Sequence, residues 1–118
     1  MIELIVADRC TSCGECVKVC PSNVFDLRPE GPPVIARLAD CQTCFLCELY
    51  CKADALYVGA DCERAGSIDE AQALASGTLG QYRRASGWDE YAGDPRYANE
   101  HWRMEGVFLR AGELAQKR

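Results

Sequence analysis

The chain has 118 residues, with 13 Lys and Arg against 18 Asp and Glu, a formal charge of −5, and nine cysteines. That length suits one compact unit, and an acidic chain with no basic cluster longer than Arg83-Arg84 lacks the footprint that nucleic acid or an anionic membrane requires. Only ten residues are aromatic, so the core is modest and metal centres or cross-links are expected to supplement it.

The first apolar run is Leu4 to Ala7 with nothing basic before it. Neither a membrane span nor a secretory leader is predicted, and the chain is expected in the cytoplasm. Ile2 to Val6 reads as a strand, followed by cysteines at 10, 13, 16 and 20 in a loop and short helix, then by the apolar stretch Val24-Phe25-Asp26-Leu27. Pro29-Glu30-Gly31-Pro32-Pro33 marks a loop, and Val34 to Leu38 reads as a second opening strand. Cysteines at 41, 44, 47 and 51 then repeat the spacing of the first run at an offset of 31 positions, and Ala55-Leu56-Tyr57-Val58 falls on Val24 to Leu27. The expected fold class is α+β: residues 1–58 form a module with a pseudo-twofold internal repeat, each half being strand, ligand loop, short helix and strand.

Residues 59–118 differ in character, holding one cysteine, Cys62, and six of the ten aromatics. Ser67 with Glu70 forms a capping-box pattern before Ala71 to Ala75, and Asp94-Pro95 reads as the cap and first turn of a helix running to about Glu105. Glycines at 59, 66, 77, 80, 87, 93, 106 and 112 are expected to break this segment into short pieces that need a surface to lie on. We therefore expect an extended C-terminal arm with short helices, docking on a larger partner through Trp88, Tyr91, Tyr97 and Trp102, since Trp and Tyr are favoured interface anchors. The competing expectation folds these rings back over the module.

Three thiolates at i, i+3 and i+6 can wrap three corners of an iron–sulfur cube, which then needs a fourth sulfur from another direction. In proteins with two such cubes and this spacing, the fourth cysteine of each run ligates the other cluster. That rule assigns Cys10, Cys13, Cys16 and Cys51 to cluster I, and Cys41, Cys44, Cys47 and Cys20 to cluster II. Disulfides conflict with the expected reducing compartment, and zinc sites more often pair two separated cysteine doublets than repeat a triplet with a fourth cysteine at fixed offset.

On these eight cysteines, with Pro21 after Cys20, residues 1–58 resemble the bacterial-type dicluster ferredoxins. The resemblance implies a ferredoxin-like fold and two [4Fe–4S] clusters. Lys52 stands where the second run would carry its proline, and Phe45 occupies the position equivalent to Gly14. Cys41-Gln42-Thr43-Cys44-Phe45-Leu46-Cys47, with Cys20-Pro21-Ser22-Asn23-Val24-Phe25 and the long tail, is also similar to the iron–sulfur β subunit of adenylylsulfate reductase. That second resemblance implies a FAD-bearing catalytic subunit as partner. The presence of a tail is shared, but no stretch of it matches that family residue by residue, and no substrate is carried over.

Together these features predict an electron-transfer subunit of a two-component oxidoreductase, the alternatives being a free-standing ferredoxin and a zinc-binding interaction module. Two oxidised clusters with their thiolates bring the charge to about −9, which implies a basic docking surface on partners. Lys52 beside Cys51 should raise the potential of cluster I, whereas Phe45 and Leu46 should keep cluster II drier and lower its potential. Tyr50 and Tyr57 are expected to pack and exclude water rather than relay electrons. Cys62 is expected to be a free thiol and His101 a surface or packing residue. There is no phosphate-binding glycine loop and no Ser-His-Asp arrangement, so no catalytic residue is assigned.

Overall fold

In the computed structural model, which describes residues 1–97 and 104–117, strand β1 (Ile2–Ile5) lies antiparallel to β4 (Leu56–Val58). Their register pairs Ile2 with Val58, Leu4 with Tyr57 and Ile5 with Leu56, with an irregularity between Ile2 and Leu4. A second antiparallel pair joins β2 (Phe25–Asp26) to β3 (Val34–Ile35) across the proline-rich loop. The class is α+β, built from two small sheets and short helices.

The strand expected over Val34 to Leu38 is shorter than predicted. It stops at Ile35 because the Arg37 guanidinium turns inward, donating to the carbonyls of Asn23 and Phe25 and to the Asp26 carboxylate, and Leu38–Asp40 tighten into a 3₁₀ turn. Each cysteine loop runs straight into a helix: α1 (Glu15–Val19) after the first, α2 (Leu46–Tyr50) after the second. Left-handed residues occur in pairs 31 positions apart: Ser12 and Thr43, Gly14 and Phe45, Asn23 and Asp54. The same chain reversals therefore shape both cysteine runs.

Ile2, Val24, Phe25, Leu56 and Val58 form the central core together with Cys20 and Cys47. A second core joins Val6 of the module to Ala73 and Leu79 of the extension, and a third places Trp88 and Phe108 against Val19, Leu49 and Tyr50. The described part of the extension thus lies on the module instead of standing away from it. Trp88, expected as a docking anchor, is turned inward. Its ring meets the Tyr50 ring edge-on at 5.2 Å, a geometry that removes apolar area from water. Tyr91 is exposed, whereas Trp102 and His101 lie outside the described residues.

Helix α3 (Glu70–Ser76) starts two residues later than the capping pattern suggested. Asp69 accepts from the Gln72 backbone N–H at 2.7 Å and its own N–H donates to the Gln72 side chain at 3.1 Å, so the box is Asp69/Gln72 rather than Ser67/Glu70. Helix α4 (Gln81–Ala85) follows, entered through left-handed Gly80. Pro95–Tyr97 form a 3₁₀ turn, and α5 (Glu105–Ala115) packs across α1. Of the helix predicted from Pro95 to about Glu105, Pro95–Tyr97 form this turn and Glu105 opens α5, while residues 98–103 lie outside the described residues. Gly106 and Gly112 sit within α5 instead of breaking it. Among the described residues no helix is long and apolar enough to cross a membrane.

Candidate metal centres

The fold gathers the eight repeated cysteines into two walls. Cys10, Cys13 and Cys16 line one cavity together with Cys51, which arrives from the second run at the end of α2. Cys41, Cys44 and Cys47 line another with Cys20, which ends α1. The crossing arises because α1 and α2 pack side by side, so the residue that closes each helix faces the loop that opens the other. Backbone N–H groups of Ser12, Val24 and Ala55 donate to the Sγ atoms of Cys10, Cys20 and Cys51, each at 3.4 Å, fixing the thiols in place.

The electrostatics of these walls favour a cationic, thiophilic guest. Burial, with Cys51, Cys13 and Cys10 adding to it, pushes the Cys16 thiol up to about 12. The Cys47 thiol is driven well above its ordinary value by burial, with Cys44, Cys16 and Cys20 adding to it, and burial raises Cys44 as well. Thiols packed this closely ionise readily once a metal supplies positive charge, and thiolate is the form that binds. In the second wall the Thr43 hydroxyl is buried with no hydrogen-bond partner among the described residues. A group carrying inorganic sulfur as acceptor suits that donor, and soft sulfur ligands suit iron–sulfur clusters. The residues therefore fit two such clusters.

Phe45 reaches the second wall through an unusual backbone. It adopts φ 62°, as Gly14 adopts φ 76° in the first run, and its ring stacks on Tyr82 of α4 at 4.8 Å. The expected drying of the second cavity thus comes from a ring clamped by the extension. Glu48, which follows Cys47, is 2 % exposed and joins three elements: its carboxylate accepts from the N–H of Val58 at 3.1 Å and of Tyr82 at 2.8 Å. Burial makes the Glu48 carboxyl a weaker acid, pushing its pKa above the ordinary glutamate value, and the two N–H donors offset part of that rise.

Lys52 lines the first cavity but is exposed, and Tyr50 and Trp88 line it too. Tyr57 packs against Val6, Ala73 and Leu79 and borders neither cysteine wall. Cys62 is exposed and likewise stands apart from both. Sequence analysis missed Arg83, Glu48 and Thr43. Arg83 entered only as half of a short basic pair, and Glu48 reads as an ordinary solvated helix residue, because neither has a local pattern that announces burial.

The 4Fe-4S dicluster domain family matches residues 9–56, a span that includes all eight repeated cysteines. A ferredoxin of Methanothermococcus thermolithotrophicus is 38% identical over 53 residues, covering 43% of this chain and 87% of that protein. No solved structure matches the chain. With two four-cysteine walls built from one repeated run, the chain belongs to the dicluster ferredoxins, iron–sulfur electron-transfer proteins carrying two [4Fe–4S] clusters.

Proposed function

We propose that Cys10, Cys13, Cys16 and Cys51 hold cluster I, that Cys20, Cys41, Cys44 and Cys47 hold cluster II, and that the chain is the electron-transfer subunit of a cytoplasmic two-component oxidoreductase. The observation that carries the ligand assignment is that each cavity is lined by three cysteines of one run and one of the other. In this reading residues 1–58 are a pseudo-twofold dicluster domain and residues 59–118 a docking extension. When bound, the clusters would supply one-electron transfer. The protein's own part is to hold the thiolates, to keep water away with Phe45, Tyr50 and Trp88, and to offer a surface to partners.

The partner is a FAD-bearing catalytic subunit. Supporting it, large apolar side chains are left exposed along the extension: Leu74, Tyr82, Tyr91, Val107, Leu109 and Leu114. Val107, Leu109 and Leu114 all belong to α5, and large apolar side chains left in water suit a surface that a partner covers. The resemblance to the adenylylsulfate reductase β subunit supplies the flavoprotein. A second reading, a free-standing mobile carrier, is favoured by the inward packing of Trp88 and Phe108 and by the relative's own description as a ferredoxin.

Affinity capture of the full-length chain from its native cytoplasm under strict anaerobiosis separates the two. A stoichiometric, flavin-containing co-eluting protein supports the subunit; a brown monomer eluting alone supports the carrier. For the ligands, Cys20→Ser should alter the same EPR centre as Cys44→Ser, and Cys51→Ser the same centre as Cys13→Ser. If Cys20→Ser instead alters the centre touched by Cys13→Ser, the crossed assignment is wrong.

A further inference from the structure

We propose that the extension sets the potential of cluster I through Arg83, a residue outside the matched ferredoxin span. The inference rests on the ligand assignment above. Arg83 is 8 % exposed and lines the first cavity with Cys10, Cys13, Cys16 and Cys51. Three contacts lock its guanidinium there. Nη1 donates to the Leu49 carbonyl in the last turn of α2, two residues before Cys51, while Nε and Nη2 grip the Asp89 carboxylate at 2.9 and 2.7 Å.

The ion pair is oriented. The Arg83 side chain is 9% exposed and that of Asp89 53%, so the positive end lies in the protein and the negative end in water. Water screens the carboxylate far more than the guanidinium, and the cavity experiences a net positive field. Among the described residues, the other charged side chains in this wall are Glu15, Lys52 and Glu105. Glu15 is partly exposed and pairs with Lys18 at 3.6 Å, Lys52 is exposed, and Glu105 is half-buried. Arg83 is the one among them that lies buried.

Reduction adds one electron and one negative charge to a cluster, and a buried cation beside it stabilises that state. Among the described residues the second cavity has no charged side chain in its lining, and the nearby buried charge, Glu48, is an acid. Both facts place cluster I above cluster II in potential. The direction agrees with the expectation from Lys52, but the cause moves from an exposed lysine to a buried arginine brought in by the extension.

The test is an EPR-monitored redox titration of the anaerobic, full-length holoprotein, with dithionite as reductant and mediators present. It compares wild type with Arg83→Met, Arg83→Lys and Asp89→Asn. Cys51→Ser and Cys13→Ser first identify the cluster I signal; if they alter different centres, the ligand assignment fails whatever Arg83 does. Arg83→Met should lower the midpoint of cluster I and leave cluster II in place. Arg83→Lys, which keeps the charge and loses the two-pronged grip, should restore most of the shift, and Asp89→Asn should move cluster I upward. An unchanged midpoint in Arg83→Met, an equal shift of both centres, or no rescue by lysine would overturn the proposal.

Discussion

Phe45 pays for its place at the second cavity with backbone strain. A non-glycine residue in the left-handed region costs about 1–2 kcal/mol, which Gly14 avoids at the equivalent step of the first run. What offsets the cost is the ring, half-buried beside Cys47 and stacked on Tyr82, with a stack worth about 0.5–1.5 kcal/mol beyond its buried area. Two truncations separate these effects. Phe45→Ala loses the ring and keeps the strain, whereas Phe45→Gly loses both. The glycine variant should therefore be the more stable of the two by about 1 kcal/mol, roughly fivefold in the rate of cluster loss followed by the decay of visible absorbance. The reverse order would show that the left-handed step is not strained.

At the scale of elements, α5 shows how a helix can need one glycine and merely tolerate another. A Cβ on Gly112 would stand 2.9 Å from the Cys20 carbonyl oxygen, so the close crossing of α5 over the end of α1 requires its absence. Gly106 has open space around it. Gly112→Ala should push α5 off α1 and destabilise the holoprotein by about 1–3 kcal/mol, with Trp88 fluorescence reporting the loosened packing. Gly106→Ala should stabilise it by up to about 1 kcal/mol through helix propensity alone. Equal effects from the two substitutions, read by anaerobic thermal unfolding, would contradict this crossing.

For the whole molecule, the extension acts as a cover as well as a tail. Ala73 and Leu79 close over Val6, Tyr82 closes over Phe45, and Trp88 and Phe108 close over the two ligand helices. Glu48 ties this cover down through the Tyr82 N–H, and Arg83 does so through the Leu49 carbonyl. A chain truncated after Val58 should still assemble both clusters, since all eight cysteines remain, but should lose them several-fold faster under oxygen or chelator. Cluster lifetimes equal to those of the full chain would show that the cover protects nothing. Removing iron from the full chain should release much of residues 1–58 from hydrogen-exchange protection, because in the proposed assignment each cluster would join the two runs.

How much of this was legible beforehand depends on how local the signal is. The eight cysteines, their offset of 31 and the proline-rich loop between the runs are written in the chain, and with the apolar stretches beside them they announce an α+β module, the cluster type and which four cysteines line each cavity. Ligand chemistry is strict about residue type and distance along the chain, so few other outcomes were open. The extension carried no such constraint. A capping box displaced by two residues, a helix that keeps its glycines and a tryptophan turned inward all depend on what surface lies opposite, which no local pattern records. The same holds for charge. Lys52 and Arg83 look alike in sequence, and only the tertiary structure decided that one faces water while the other is sealed against the first cavity, where the low polarity of the interior makes its charge count.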